Sequence, residues 1–131
     1  MRITADTNLL VRAAAADDPL QSAAAAATLR TAELVAVPTA VLCEFCWVML
    51  RAYGHNPAEV AQAIRALVAA GTTRVDRAAV EAGLAMLEAG GDFADGAIAA
   101  EGARLGGEVF VSFDRQAVRL LKRAGVVARG L

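Results

Sequence analysis

Short apolar runs alternate with longer stretches of helical periodicity from one end of the chain to the other. Apolar runs bounded by polar or turn residues predict strands at residues 3–5, 34–37, 72–75, 109–112 and 126–128. Between the strands, the pattern predicts helices at residues 9–16, 18–30, 39–53, 56–71, 76–88, 92–105 and 115–123. Such alternation is typical of a parallel sheet covered by helices on both faces. Because no linker or internal repeat interrupts the pattern, we expect one α/β domain over residues 1–131.

Several of the predicted helices begin with a capping signal. Asp18-Pro19 places a good N-cap before a proline, which suits the first helical position. Asn56 followed by Glu59 has the spacing of a capping box. Thr39 is expected to cap the long helix that follows Pro38.

Composition and charge exclude few classes of function. Apolar residues make up 57% of the chain and aromatic residues 5%, which predicts a helical core rich in small side chains. Thirteen Lys and Arg nearly balance fourteen Asp and Glu, so any nucleic-acid binding requires a local basic cluster. Candidates are scattered, and each also fits a solvated helix face: Arg51, Arg65, Arg74, Arg77, Arg104, Lys122 and Arg123.

The two cysteines do not complete a recognisable metal site. Cys43 and Cys46 could be a redox pair or half a zinc site, but His55 is the only further nitrogen or sulfur candidate. We therefore interpret them as two buried thiols of an apolar helix in a reducing cytoplasm. The start of the chain lacks the apolar region of a signal peptide, and no segment reaches the length of a membrane span. These features predict a cytoplasmic protein.

Four acidic residues lie just after predicted strands or early in predicted helices, so they could share one edge of a parallel sheet. Asp6 and Asp114 come directly after strands. Glu44 lies in the second turn of the helix that follows the second strand, and Asp95 lies in the first turn of the helix that follows Gly90-Gly91. Ligands of open parallel sheets bind at the carboxyl ends of the strands, where these side chains are expected to converge. Clustered carboxylates repel one another unless a cation lies between them, and oxygen ligands suit Mg²⁺ or Mn²⁺. Such a site would hydrolyse a phosphodiester bond with a metal-activated water.

Each acid also has a purely structural interpretation. Asp6 and Asp114 could cap the helices that follow them, and Asp92 with Asp95 has the spacing of a local capping arrangement. Glu44 differs because it is the only charged residue between Thr39 and Leu50. A charge surrounded by apolar side chains needs a partner or a metal, which favours a functional role for Glu44.

Four short motifs follow one another along the whole chain: the segments 6–12 (DTNLLVR) with 17–19 (DDP), 38–39 (PT) with Glu44, 92–95 (DFAD), and 112–115 (SFDR). In this order they resemble the motifs of the VapC-type PIN-domain toxins of type II toxin–antitoxin systems. Each is weak alone, but four in register are specific. One departure is Gly96, where many relatives carry Ala.

The resemblance implies a PIN-like three-layer α/β/α fold with a short central parallel sheet, and a metal-dependent endoribonuclease. It places Asp6, Glu44, Asp95 and Asp114 as catalytic metal ligands for Mg²⁺ or Mn²⁺. It also implies supporting roles near the site for Asn8, Asp92, Ser112 and Arg12. The implied partners are an RNA substrate, a cognate antitoxin and a second copy of the chain, without membrane association. The long helix at residues 39–53 is apolar around much of its circumference, so part of it, or of the early helices, could line a dimer or antitoxin interface.

Three alternatives compete with the ribonuclease. A haloacid-dehalogenase-like phosphatase needs a second Asp two residues after the first, where this chain has Asn8. A phospho-accepting receiver domain needs paired acids after the first strand and a Lys after the last, and Lys122 lies inside a predicted helix. The third is a PIN-like domain that binds RNA or an antitoxin without catalysis. Nothing in the sequence favours loss of catalysis, since all four acids are present.

Overall fold

The computed structural model describes all residues 1–131 and contains five short strands and seven helices. The strands are β1 (Arg2–Thr4), β2 (Leu34–Ala36), β3 (Thr73–Arg74), β4 (Phe110–Ser112) and β5 (Ala128–Gly130). The helices are α1 (Thr7–Ala15), α2 (Pro19–Thr31), α3 (Thr39–Arg51), α4 (Pro57–Ala69), α5 (Arg77–Glu88), α6 (Phe93–Arg104) and α7 (Arg115–Arg123). Every predicted element is present and has the predicted type. None of the helices combines the length and apolar character that crossing a membrane requires.

The chain forms two compact units, Met1–Val75 and Asp76–Leu131, called here the N-terminal and C-terminal units. The N-terminal unit contains a parallel sheet in the order β1-β2-β3, with Ile3 opposite Val35 and Val35 opposite Thr73. Helices α1 and α2 connect β1 to β2, and helices α3 and α4 connect β2 to β3. The apolar faces of the strands and helices supply its core: Leu10, Val11, Val35, Val37, Leu42, Phe45, Met49, Val60 and Ile64.

The predicted caps of this unit are confirmed with one exception. Asp18 accepts a hydrogen bond from the backbone N–H of Gln21 (3.1 Å), and Asn56 and Glu59 form the complete capping box. The prediction that Thr39 caps α3 is wrong, because Pro38 holds the N-cap position and Thr39 is the first helical residue. The fixed φ of proline, here −60°, already sets the extended conformation from which the helix begins.

The C-terminal unit contains the parallel pair β4-β5, with Phe110 opposite Ala128. Helix α7 connects the two strands and packs against both of them. Its apolar side joins the core cluster of this unit, which consists of Met86, Val118, Leu120, Leu121 and Ala128.

Helices α5 and α6 pack so closely that glycine is required where they meet. A Cβ added at Gly96 would lie 2.7 Å from the carbonyl carbon of Ala82 and 2.8 Å from Cγ of Met86. A Cβ at Gly83 would lie 2.6 Å from the ring of Phe93. Gly96 costs helix propensity relative to Ala, but an alanine at this position would overlap the backbone of α5. The departure noted in the sequence is therefore a packing requirement of this unit.

Candidate active site

Asp6 lies at the carboxyl end of β1, one residue beyond the buried Ala5. The backbone N–H of Ala5 donates to the carbonyl of Ala36 (2.9 Å), which extends the sheet up to the aspartate. Asp6 is the N-cap of α1, and its Oδ1 accepts a hydrogen bond from the N–H of Leu9 (2.9 Å). The capping interpretation is thus correct, and it leaves Oδ2 of this exposed carboxylate without a protein hydrogen bond.

Glu44 does not have the surroundings that the sequence suggested. Its side chain is exposed, because α3 turns Leu42, Phe45, Cys46 and Met49 inward while Glu44 lies on the same outer side as Trp47. The expectation of an apolar environment for Glu44 is wrong. An apolar helix still has one sector that faces away from the core, and a three-residue step places Glu44 and Trp47 together on it.

The hydroxyl of Thr7, which the sequence did not single out as a site residue, links the helix that begins after Asp6 to Glu44. Thr7 Oγ1 donates a hydrogen bond to Oε2 of Glu44 (3.0 Å). Thr7 is the first residue of α1 and directly follows Asp6, so this bond brings α3 against the start of α1 at the acidic end of β1. The signal was available in the sequence as a hydroxyl residue next to the first aspartate. Asn8, the next residue, is exposed in the same turn.

Arg12 is engaged by a different carboxylate. Its guanidinium forms an ion pair with Oδ1 of Asp17 (3.2 Å), and the hydroxyl of Tyr53 donates to Oδ2 of Asp17 (2.8 Å). The Tyr53 hydroxyl and the Arg12 guanidinium lower the pKa of Asp17, and the Asp17 carboxylate raises the pKa of Tyr53. This network ties the end of α1 to the end of α3.

Asp95 is the half-buried acid of the C-terminal unit, in the first turn of α6. Burial, followed by the negative charges of Asp92 and Asp114, raises its pKa above the ordinary value for aspartate. All three of these causes raise the pKa, and none opposes them. Asp92 is the exposed N-cap of α6 and accepts a hydrogen bond from the N–H of Ala94 (3.0 Å).

Asp114 follows β4 and caps α7, with Oδ1 accepting a hydrogen bond from the N–H of Ala117 (3.1 Å). Ser112 supports this turn, since its hydroxyl oxygen accepts a hydrogen bond from the backbone N–H of Asp114 (2.9 Å). The supporting position predicted for Ser112 is therefore a backbone contact that fixes where Asp114 begins the helix. As with Asp6, the cap occupies one carboxylate oxygen and leaves Oδ2 exposed.

The remaining metal-ligating residue types lie elsewhere in the structure. Cys43 and Cys46 form no disulfide; Cys46 is buried as predicted, but the prediction is wrong for Cys43, which is only half-buried. His55 pairs with Glu59 across one turn of helix (3.4 Å). No group of three or more His, Cys, Asp and Glu side chains is arranged to hold a metal ion. Hard divalent cations prefer oxygen ligands. Suitable oxygens are present on four candidate residues, as the uncapped carboxylate oxygens of Asp6 and Asp114 and the carboxyl groups of Glu44 and Asp95.

In each unit a parallel strand is followed by an aspartate that caps the next helix, Asp6 after β1 and Asp114 after β4, as in an α/β protein. The sequence profile of the PIN domain family matches residues 3–123, so the chain belongs to the PIN domain family. PIN domains are generally nucleases, and they typically use divalent metals. The predicted fold class, a PIN-like α/β fold of helices and short parallel strands, is confirmed. A search of curated proteins found no match.

Proposed function

We propose that this PIN domain is a divalent-metal-dependent endoribonuclease and the toxin component of a toxin–antitoxin pair. The surroundings of Asp95 carry the proposal. A half-buried carboxyl whose charged neighbours are other acids is costly when ionised, and a bound cation removes that cost. A protein that only needed a folded α6 would gain stability from an uncharged side chain at this position.

In this proposal Asp6, Glu44, Asp95 and Asp114 hold one or more Mg²⁺ or Mn²⁺ ions within a single domain. When bound, such an ion supplies positive charge for a phosphate group and activates a water for hydrolysis. The chain's own contribution is to fix the carboxylates. Helix caps orient Asp6 and Asp114, and the Thr7 hydroxyl orients Glu44.

Four further residues act around the ligands in the same proposal. Ser112 fixes the turn that carries Asp114, and Asp92 adds negative charge beside Asp95. Asn8 offers an exposed amide in the first turn of α1. Arg12 acts indirectly, because its ion pair with Asp17 holds the segment that leads into α2 against α1.

The accessibility of the acids favours a polymer as the substrate. Asp6, Glu44, Asp92 and Asp114 are all exposed, so their carboxylates lie on open surface. A cavity of about 610 Å³ in the C-terminal unit, between α5, α6, β4 and β5, is lined by none of these acids. An open acidic surface suits the backbone of an RNA chain better than an enclosed small molecule.

The toxin assignment adds two protein partners, an antitoxin and a second copy of the chain. Trp47 on α3 is 62% exposed and Leu20 at the start of α2 is 84% exposed, which leaves large apolar side chains for such contacts. We assign the outer side of α3 to one of these interfaces. A protein that stays a monodisperse monomer and captures no partner helix would contradict this part of the proposal.

The test is cleavage of a structured RNA pool with Mg²⁺ or Mn²⁺, beside an EDTA control. The parent is expected to cut only with metal, and Asp95→Asn is expected not to cut. Glu81→Gln is the matched control, because Glu81 is an exposed acid on α5 of the same unit. Added Mn²⁺ should also raise the melting temperature of the parent more than that of Asp95→Asn.

Equal cleavage by the parent and Asp95→Asn would refute the metal-site assignment. No cleavage with any metal by the folded, antitoxin-free parent would favour the alternative, a PIN-like domain that binds RNA or an antitoxin without catalysis. Formation of an acyl phosphate on Asp6 would instead support a haloacid-dehalogenase-like phosphatase or a phospho-accepting receiver domain.

A further inference from the structure

Helix α7 divides sharply into an apolar side and a basic side. Its buried residues are Ala117, Val118, Leu120 and Leu121. The exposed side carries a basic stripe, which consists of Arg115, Arg119, Lys122 and Arg123. Steps of four, seven and eight residues from Arg115 place all four cations on one helix face. The C-terminal unit has seven Lys and Arg residues, so more than half of its positive charge lies on this single face.

The basic stripe is not neutralised by ion pairs. Helix α7 contains no acidic residue, and none of the four cations forms an ion pair. Arg104, by contrast, is paired with Asp76 in the same unit. Solvation of a helix face is equally well achieved with mixed charges, so solubility alone does not account for a stripe of one sign.

Helix stability does not account for the stripe either. Lys122 and Arg123 lie in the last turn, where the helix dipole favours cations, but Arg115 lies at the first position, where the dipole disfavours them. Arg119 is four residues from both Arg115 and Arg123, and like charges at that spacing repel. An arrangement that costs stability in the free protein points to an anionic ligand.

We propose that the basic stripe of α7 binds the phosphate groups of the RNA substrate. This inference rests on the proposed ribonuclease function and names the surface that holds its substrate. From Arg115 to Arg123 the helix advances about 12 Å at 1.5 Å per residue, a length that spans successive phosphates of one strand. Guanidinium groups, which form three of the four contacts, bind phosphate oxygens in pairs.

The position of the stripe favours RNA over an acidic protein. Asp114, a proposed metal ligand, caps the helix immediately before Arg115, so the stripe begins one residue from the proposed reaction centre. Phosphates held along α7 would lead the strand towards that carboxylate. The chain has a formal net charge of −1, so its overall field does not attract RNA and a local cluster must do so.

The test is equilibrium binding of a short fluorescent single-stranded RNA, in EDTA so that no metal-dependent cleavage occurs. The triple variant Arg115→Gln/Arg119→Gln/Arg123→Gln removes three cations from the stripe, and glutamine preserves helix propensity. Arg2→Gln/Arg30→Gln/Arg129→Gln is the matched control, since it removes the same charge from exposed positions on β1, α2 and β5. Circular dichroism would establish that both variants are folded.

We expect the stripe variant to bind RNA about tenfold or more weakly than the control at low salt. When the logarithm of affinity is plotted against the logarithm of salt concentration, the slope for the stripe variant should be shallower by about two. This change corresponds to the loss of three phosphate contacts on a single strand. Equal affinity and equal salt dependence of the two variants would overturn the proposal and leave the stripe to an acidic protein partner. If the parent binds RNA but never cleaves it, and the stripe variant loses this binding, the nuclease proposal is refuted while RNA binding by the basic stripe is supported.

Discussion

Asp76 and Asp95 lie at the starts of two adjacent helices of the C-terminal unit, in opposite electrostatic surroundings. Asp76 caps α5, with Oδ1 accepting the N–H of Ala79 (3.2 Å), and both of its oxygens contact the guanidinium of Arg104. The Arg104 contact lowers the pKa of Asp76. Burial and two further carboxylates raise the pKa of Asp95.

The N-terminal unit contains the same contrast. Asp17 has Arg12 and the Tyr53 hydroxyl as partners, whereas the only partner of Glu44 is the neutral hydroxyl of Thr7. Asp17 and Asp76, which tie segments of the fold together, are thus each paired with an arginine of the chain. None of the four acids that we assign to the metal site has an ion-pair partner, and the predictions below test whether this difference corresponds to function.

The largest expected effect comes from two aspartates that cap helices in the same way. Asp114 and Asp76 each accept a hydrogen bond from the N–H three residues later, and asparagine caps a helix about as well as aspartate. We expect Asp114→Asn to reduce RNA cleavage by more than about 100-fold, beyond the loss typical of outer-shell partners of a metal. Asp76→Asn should leave cleavage unchanged.

The measurement is the initial cleavage rate at saturating Mg²⁺, with melting curves for both variants. Asp76→Asn is expected to melt at a lower temperature than the parent because it loses the charge that pairs with Arg104. If both substitutions reduce cleavage equally, the distinction between paired and unpaired acids has no functional meaning.

Local signals in the sequence predicted most of the fold. Helix α7 was predicted at its observed boundaries, because Asp114 caps one end and Gly125, with φ of +87°, follows the other. The last strand was predicted two residues too early. Its register is fixed by pairing with β4, which places Ala128 opposite Phe110, and no local pattern reveals that pairing.

The positions of the candidate residues in the helices were predictable from the sequence, but the surroundings of their side chains were not. The spacing of Asp6 and Asp114 from their strands placed them correctly at helix starts. Sequence neighbours could not show that Glu44 is exposed, since the exposed sector of α3 depends on which side packs against the rest of its unit. The clash that excludes a side chain at Gly96 involves Ala82, fourteen residues away, and requires the packing of two helices.

A smaller effect should follow from removing the partner of Glu44. Thr7→Val keeps the shape of the side chain but loses the hydroxyl that donates to Glu44. Mutations of groups that orient metal ligands typically cost 10- to 100-fold in affinity or activity, and we expect about tenfold here because the bond is exposed. The measurement is the Mg²⁺ concentration needed for half-maximal cleavage, which should rise.

Thr7→Ser is the control for that prediction, since serine keeps the hydroxyl and should retain near-parental metal dependence. A purely structural role for Thr7 would lower the melting temperature without changing the metal requirement. That outcome would place Glu44 with the structural acids and weaken its assignment as a ligand.

The smallest expected effect is the change in metal-free stability caused by Asp95→Asn, and its sign distinguishes the two kinds of acid. Because the folded protein raises the pKa of Asp95, ionisation of this group costs stability at neutral pH. In EDTA, Asp95→Asn should therefore melt a few degrees above the parent. The stability advantage of Asp95→Asn should shrink as the pH falls through the raised pKa of Asp95 in the folded protein. It should vanish below the pKa of Asp95 in the unfolded chain, where the parent carboxyl is neutral in both states.

Asp76 should show the opposite dependence, because its pKa is lowered in the folded protein. The stability that ionised Asp76 contributes is fully present above its pKa in the unfolded chain, and it is lost as the pH falls through its pKa in the folded protein. Saturating Mn²⁺ should reverse the order of the parent and Asp95→Asn, since metal that binds only the folded parent stabilises it. If Asp95→Asn melts below the parent in EDTA at neutral pH, Asp95 stabilises the fold directly and belongs with Asp76.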